Sequence, residues 1–238
     1  VGLESRNIDA DTVRLAITDK TRCIMPVHFA GMPVDLAPIY ELADSKDLLV
    51  LEDAAQAIGT QYQGRQIGSS GNPVSFSFHP NKNMTTIEGG AVASNNPELI
   101  KQLANNFGSQ CIVLSVDAKL IEGQWKVHLV GGRVATEIDL FDWVEEAVRL
   151  GAGEILFTSM DHDGTKNGFA NETLSALAER VNVPIIASGG AGNVQHFADT
   201  FTAGKADAAL AASVFHYGEI EIGDLKEELK EQGINMRI

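Results

Sequence analysis

Ala187-Ser188-Gly189-Gly190-Ala191-Gly192 puts three glycines between an apolar, β-branched run, Val183-Pro184-Ile185-Ile186, and the helical pattern beginning Asn193-Val194-Gln195-His196-Phe197. The run is too short for a helix and reads as a buried strand. Glycines at a strand-to-helix turn leave backbone N–H groups bare, and the turn lies at the positive end of the following helix. That combination suits phosphate. A tight βα connection would use the same residues, but two further segments end in the same way. Asp161-His162-Asp163-Gly164-Thr165-Lys166-Asn167-Gly168 follows the strand 154–158, and Ala211-Ala212-Ser213-Val214-Phe215 follows the strand 206–210. Three consecutive strands thus deliver small or polar residues from their C-terminal ends. In a parallel barrel those ends converge on the active face. The expected phosphate-binding residues are Asp163, Gly164, Gly190, Ala212 and Ser213. Gly190 has no Cβ to hold an anion away, Ser213 adds a hydroxyl, and Asp163 shapes the turn rather than touching the ligand.

The elements that must position these residues alternate regularly in the second part of the chain. Strands at 111–116, 154–158, 184–187 and 206–210 alternate with helices at 139–150, 171–181, 193–203 and 222–232, with a hairpin arm at 124–130. Asn96-Pro97-Glu98 opens a helix with a side-chain cap and a first-turn proline. Its expected buried face is Leu99, Ile100, Leu103 and Phe107, and Gly108 stops it. Before residue 96 the pattern predicts a short helix at 9–17 and strands at 22–28, 47–53, 73–78 and 89–94. A further helix, capped by Asp35, should bury Leu36, Ile39, Leu42 and Ala43. Residues 62–71 read as a turn or hairpin. The strand total is eight, four on each side of residue 96, with no internal repeat and no low-complexity linker.

The 238 residues suit one α/β barrel or two small domains. Residues 1–96 carry 7 Lys and Arg against 11 Asp and Glu, and the remainder 11 against 21, for a net charge of −14. An acidic chain without a basic stripe argues against nucleic acid and anionic membranes as partners. Cys23 and Cys111 open separate apolar runs and read as buried free thiols, which fits a reducing cytoplasm. No apolar run is long enough to span a bilayer. Val1 is an unusual first residue and suggests a processed or excised segment. No metal-ligand pattern is apparent.

Five segments, in order, carry a specific resemblance over about residues 96–238. They are Val113-Leu-Ser-Val-Asp-Ala-Lys119, Gly151-Ala-Gly-Glu-Ile155, the Asp161–Gly168 run, the Ala187–Gly192 run and Leu210-Ala-Ala-Ser-Val-Phe-His216. This part resembles the C-terminal half of the cyclase subunit of imidazole glycerol phosphate synthase, a (βα)8 barrel of histidine biosynthesis. The resemblance implies that Asp117 is one of two catalytic aspartates, a general acid or base in ring closure. The partner aspartate and the second phosphate site belong to a half that is not recognisable before residue 96. Glu154 would sit near the barrel bottom, where ammonia enters from a glutaminase. Its gate partners are also missing, so there are weak grounds for docking of that glutaminase.

Residues 7–95 resemble a different family. Glu52-Asp-Ala-Ala-Gln-Ala-Ile-Gly59 and Ser75-Phe-Ser-Phe-His-Pro-Asn-Lys-Asn-Met-Thr-Thr-Ile-Glu-Gly-Gly90 look like the DegT/StrS-type sugar aminotransferases, which use pyridoxal phosphate (PLP). The resemblance implies that Asp53 holds the pyridine nitrogen protonated, Gln56 reaches the ring, Ser77 donates to the cofactor phosphate and Lys82 forms the Schiff base. The family's upstream phosphate cup, ring-stacking aromatic and small domain are missing. Lys82 is therefore expected to be vestigial, with PLP bound weakly if it binds.

The expected fold is α/β, TIM-barrel-like (βα)8. Residues 96–238 form a C-terminal half-barrel, completed by residues 1–95 as an α/β fragment of a PLP-transferase large domain. The expected function is that of a composite chain, engineered or recombined. It binds phosphate or sulfate from a phosphorylated small molecule, requires no cofactor and lacks complete catalytic machinery. Residual cyclase (lyase) activity is the alternative, and PLP binding is the second alternative. One conflict is already visible: residues 79–88 are too few for a parallel crossover.

Overall fold

The computed structural model describes residues 6–84, 89–94, 96–129 and 132–237. Val1, the Thr85–Glu88 part of the second aminotransferase-like motif and Val130 at the end of the expected hairpin arm lie outside these. The chain divides into two compact units, Val1–Asn96 and Pro97–Ile238.

In the first unit, α1 (Ala10–Ala16) begins with a reciprocal capping box between Asp9 and Thr12. There follow β1 (Cys23–Ile24), α2 (Leu36–Ser45), β2 (Leu49–Val50), β3 (Glu52–Asp53), the hairpin β4 (Gln61–Tyr62) and β5 (Arg65–Gln66), β6 (Val74–Ser77) and β7 (Gly90–Ala93). The expected strand at 47–53 is divided because it pairs on both sides. Leu49, Leu51 and Asp53 donate backbone N–H groups to Arg22, Ile24 and Pro26, whereas Glu52 and Ala54 donate to Pro73 and Ser75. Pro26 has no N–H to return, which shortens the ladder with β1. α2 buries Leu36, Ile39, Leu42 and Ala43, as its 3.6-residue period requires. Its cap differs from the expectation: Asp35 accepts from the Tyr62 hydroxyl, and that hydroxyl accepts the Ala37 N–H.

β3 and β6 are parallel, but β7 runs antiparallel to β6. The sheet of this unit is mixed, so it does not supply four parallel strands. The short 78–89 connection is the physical reason, since a hairpin can be that short and a crossover cannot.

The second unit begins with α3 (Glu98–Phe107), a single 3-10 turn (Ser109–Cys111) and β8 (Val113–Ile121). Next come β9 (Gln124–Leu129), β10 (Val134–Asp139), α4 (Leu140–Leu150), β11 (Glu154–Ser159), α5 (Asn171–Arg180) and β12 (Ile185–Ser188). It closes with α6 (Val194–Thr202), β13 (Ala208–Leu210), α7 (Ser213–His216) and α8 (Ile222–Glu231). One sheet runs in the order β10-β9-β8-β11-β12-β13. β8, β11, β12 and β13 are parallel, and β9 and β10 are an antiparallel extension. β11 alternates cleanly. Ile155, Phe157 and Ser159 are buried, and Glu154, Leu156 and Thr158 are half-buried on the other face. The core gathers Val116, Ile155, Phe157, Leu177, Ile185 and Phe197.

Several expectations need correction. Both cysteines are free but exposed. Ile24 faces the core, so alternation turns Cys23 outward, and Cys111 lies in the turn before β8 rather than in the strand. Pro97 occupies the cap of α3 without a side-chain hydrogen bond. The inward face of α3 differs from the expectation at Phe107. Leu99, Ile100 and Leu103 are half-buried beside Ala104, which meets Gly151, whereas Phe107 is 63% exposed. Among the described residues no helix is long and apolar enough to cross a membrane.

Candidate functional site

β11, β12 and β13 are short, and small or polar residues follow each of them. After β11 the chain turns at once: the Asp163 N–H donates to the Ser159 carbonyl, and the Ser159 hydroxyl pairs with His162 Nδ1 at 2.8 Å. After β12, Gly189 and Gly190 both adopt positive φ, 90° and 109°. After β13, Ala212 and Ser213 lead directly into α7. These three ends form one cavity of about 200 Å³, lined by Asp163, Gly164, Gly190, Ala212 and Ser213 together with Lys166, Ser188, Gly189, Ala191, Leu210 and Ala211. All five residues expected from the sequence line it. No protein acceptor takes the amide hydrogen of Gly164 or Gly190 among the described residues. The amide of Gly192 is engaged by His196 Nδ1, and Asn193 caps α6.

Gly190 is glycine for a reason other than the one expected. A Cβ there would lie 2.0 Å from the Gly168 carbonyl oxygen and 3.1 Å from the His162 Cβ, so the missing side chain admits the 161–168 loop. Sequence reasoning also passed over Lys166. Its ammonium is held by both carboxylate oxygens of Glu219 at 2.6 Å, which places a neutralised cation on the cavity lining. The Lys in the Asp-Gly-Thr-Lys run was the available signal. Its partner, 53 residues later, was not visible.

Asp117 stands on β8, in register with Thr158 of β11 and opposite His128 of β9. Burial pushes its carboxyl above the usual carboxylate range, the Thr158 hydroxyl opposes that rise, the Asp163 charge adds to it and His128 counters it. Asp163 links the two parts of the site, since it lines the cavity and its charge acts on Asp117. Because the native carboxyl holds its proton more tightly than the unfolded one, stability falls as pH rises through the interval between the two values and stays lower above it. Asp117→Asn is therefore expected to raise the thermal midpoint at neutral pH and to remove that part of the pH dependence. A lower midpoint at neutral pH would contradict this.

In the first unit, Asp53 and Ser77 lie at the same ends of the adjacent parallel strands β3 and β6. Gln56 follows in the turn after β3, and half-buried Lys82 lies beyond β6. Asp53 Oδ1 accepts from the Ala55 N–H, Gln56 Oε1 from the Ala30 N–H and Ser77 Oγ from the His79 N–H. Among the described residues, these four side chains make no hydrogen bond with one another, and no cluster of His, Cys, Asp and Glu could hold a metal ion.

A parallel βα array with a cavity at its strand ends defines an α/β protein whose candidate site lies at the C-terminal ends of its strands. The comparisons make this specific. Residues 81–221 match the histidine biosynthesis protein family, and residues 1–119 match the DegT/DnrJ/EryC1/StrS aminotransferase family; the two matches overlap over 81–119. The chain belongs to the histidine biosynthesis protein family through its C-terminal part and to the aminotransferase family through its N-terminal part. Imidazole glycerol phosphate synthase subunit HisF of Flavobacterium johnsoniae is 50% identical over 223 residues, which cover 88% of this chain and 89% of that protein. The HisF subunit of Flavobacterium psychrophilum is 63% identical over 170 residues, 71% of this chain and 67% of that one. The solved structure of S. venezuelae DesV in complex with a ketimine intermediate is 43% identical with a TM-score of 0.41. It matches 43% of this chain, which spans only 29% of that protein.

Proposed function

We propose that this chain binds a phosphorylated small molecule of histidine biosynthesis through the cavity between the ends of β11, β12 and β13. In this reading the chain is a composite that carries half of the cyclase machinery of the HisF type and lacks a complete catalytic set. The observation that carries it is the convergence of Asp163, Gly164, Gly190, Ala212 and Ser213 on one cavity from three separate strand ends. Free backbone amides at Gly164 and Gly190 and the Ser213 hydroxyl supply neutral donors for phosphate oxygens. Asp117 is the proton-transfer group, held half-buried where its carboxyl resists ionisation. Cytoplasmic location belongs to the same proposal; glutaminase docking does not, because the gate partners that Glu154 would need are missing.

The test is a titration with glycerol phosphate followed by amide NMR. The Gly164, Gly190 and Ser213 amides are expected to shift. Ser213→Asp adds a carboxylate at a partly exposed position and should weaken binding about tenfold or more, about 1.4 kcal/mol or more, without unfolding the chain. An unchanged affinity in that variant, or no amide shifts in the parent, refutes the site. An ammonia-dependent cyclase assay is expected to stay at background. Product formation that is lost in Asp117→Asn would instead show that a second acid or base is present.

The placement of Asp53 and Ser77 at the same ends of the parallel strands β3 and β6 supports PLP binding as a second reading. Such a cofactor would supply an electron sink. Asp53 would face its ring nitrogen, Ser77 its phosphate and Lys82 its aldehyde. Gln56 is turned to Ala30 and Asp53 to Ala55, so the fit is partial. Weak, reversible PLP binding without transamination is expected. A Lys82-dependent absorbance band at micromolar PLP, with turnover of an amino donor, would contradict it.

A further inference from the structure

The cavity after β11, β12 and β13 carries the wrong charge for the ligand proposed above. Asp163 and Lys166 are the only charged residues on its described lining. The Lys166 ammonium is taken up by both carboxylate oxygens of Glu219 at 2.6 Å, so the three side chains leave one net negative charge beside the cavity. That charge repels a phosphate dianion unless a cation turns toward it. Lys166 is the cation in place. Its φ is 58°, a left-handed value that glycine or asparagine holds with less strain, so the position supplies a side chain rather than a turn. Its carbonyl oxygen lies 2.3 Å from where a Cβ on Gly192 would be, which packs its main chain against the turn after β12. The Glu219 N–H donates to the carbonyl of Val214, the residue after Ser213. Both main chains are thus tied beside the cavity. The two side chains are not, being 42% and 40% exposed. An exposed ion pair contributes little net stability, and exposed side chains change rotamer in picoseconds to nanoseconds.

We propose that Glu219 sets the affinity of this cavity for phosphate monoesters by competing with the ligand for Lys166. Before the ligand arrives, the ammonium rests on the Glu219 carboxylate. When a phosphate dianion settles on the Gly164 and Gly190 amides, the ammonium turns from Glu219 to a phosphate oxygen. The new contact is again a charge-assisted hydrogen bond, and it offsets the Asp163 charge. The Glu219 carboxylate is left to solvent, which already reaches it. This inference rests on the phosphate reading and adds to it a cation and its competitor.

The experiment is an NMR titration of the full chain with glycerol phosphate. The Gly164 and Gly190 amides report affinity, and the Glu219 carboxyl carbon reports the exchange. Glu219→Gln frees the ammonium and is expected to tighten binding about two- to fivefold. Lys166→Met is expected to weaken it about tenfold. In the double variant the gain from Glu219→Gln should vanish, as it does for residues that act through each other. Glu221 precedes α8 without a side-chain capping bond, so Glu221→Gln controls for net charge and should change affinity by less than about twofold. The Glu219 carboxyl carbon should move on titration of the parent and stay in place in Lys166→Met at saturating ligand. A pair that merely tied two segments together would give weaker or unchanged binding in Glu219→Gln. Either result overturns the proposal, as does an equal gain in the Lys166→Met background or in Glu221→Gln. Amide shifts at Gly164 and Gly190 without a gain in Glu219→Gln leave the phosphate site standing and remove the exchange. Absence of amide shifts in both the parent and Glu219→Gln removes both.

Discussion

Glu52→Ala is expected to cost the Val1–Asn96 unit about 3–5 kcal/mol, because it leaves three donors without their acceptor at about 1–3 kcal/mol each. Glu52 and His28 have fully buried side chains, with His28 Nε2 and Glu52 Oε2 3.1 Å apart. The Val34 N–H donates to His28 Nδ1 at 3.1 Å, so the imidazole is neutral and its Nε2–H points to the carboxylate. Tyr40 and Ser70 donate their hydroxyls to the other carboxylate oxygen. Deleting the carboxylate strands three donors and opens a cavity at a fully buried position. Burial alone would raise the Glu52 carboxyl, but the hydrogen bonds from His28, Tyr40 and Ser70 outweigh it and hold the group below the usual carboxylate range. Stability from this group is therefore fully present above the ordinary glutamate value and is lost as pH falls through the lower native value. Hydrogen exchange of residues 22–77 follows this unit, while Trp125 and Trp143 report on the other. A loss under about 1 kcal/mol would show that the network is dispensable.

Gly190→Val is expected to disrupt the second unit rather than merely to shield an anion. The new side chain would have to occupy a φ of 109° and displace the Gly168 carbonyl that now lies 2.0 Å from the Cβ position. The hydrogen bond from the Gly168 N–H to the Gly190 carbonyl, 2.8 Å long, would go with it. Strain and overpacking together set the cost at about 2–6 kcal/mol. Tryptophan-detected unfolding should shift accordingly, and phosphate binding should disappear with the loop. Parent-like stability in this variant would mean that the 161–168 loop moves aside at little cost. Gly164 is a useful control: a Cβ there meets nothing within 4 Å, so only its positive φ resists replacement. Ala at Gly164 should cost about 1–2 kcal/mol.

What the residues alone determined is local. The alternation in Glu154–Ser159, the helical period of Leu36–Ala43 and the small residues after three strands all depend on spacings of two to four residues, and each is realised in the structure. A period names a face because backbone geometry repeats it. The two family resemblances were legible for a similar reason, since each lies in contiguous motifs.

Tertiary structure decided what depends on partners far along the chain. The direction of β7 follows from the short connection that precedes it. Phe107 was misplaced because it is the last residue of α3, where helical period alone does not say whether a neighbour covers it. Asp35 lost its cap to Tyr62, 27 residues away, and Lys166 was claimed by Glu219. Gly190 carries the plainest case. The need for a glycine could be read in the strand-to-helix turn, but the atom that excludes a Cβ belongs to Gly168, and only folding brings that carbonyl within 2.0 Å. His128 faces Asp117 for the same reason: ladder register joins residues whose spacing along the chain carries no periodic signal.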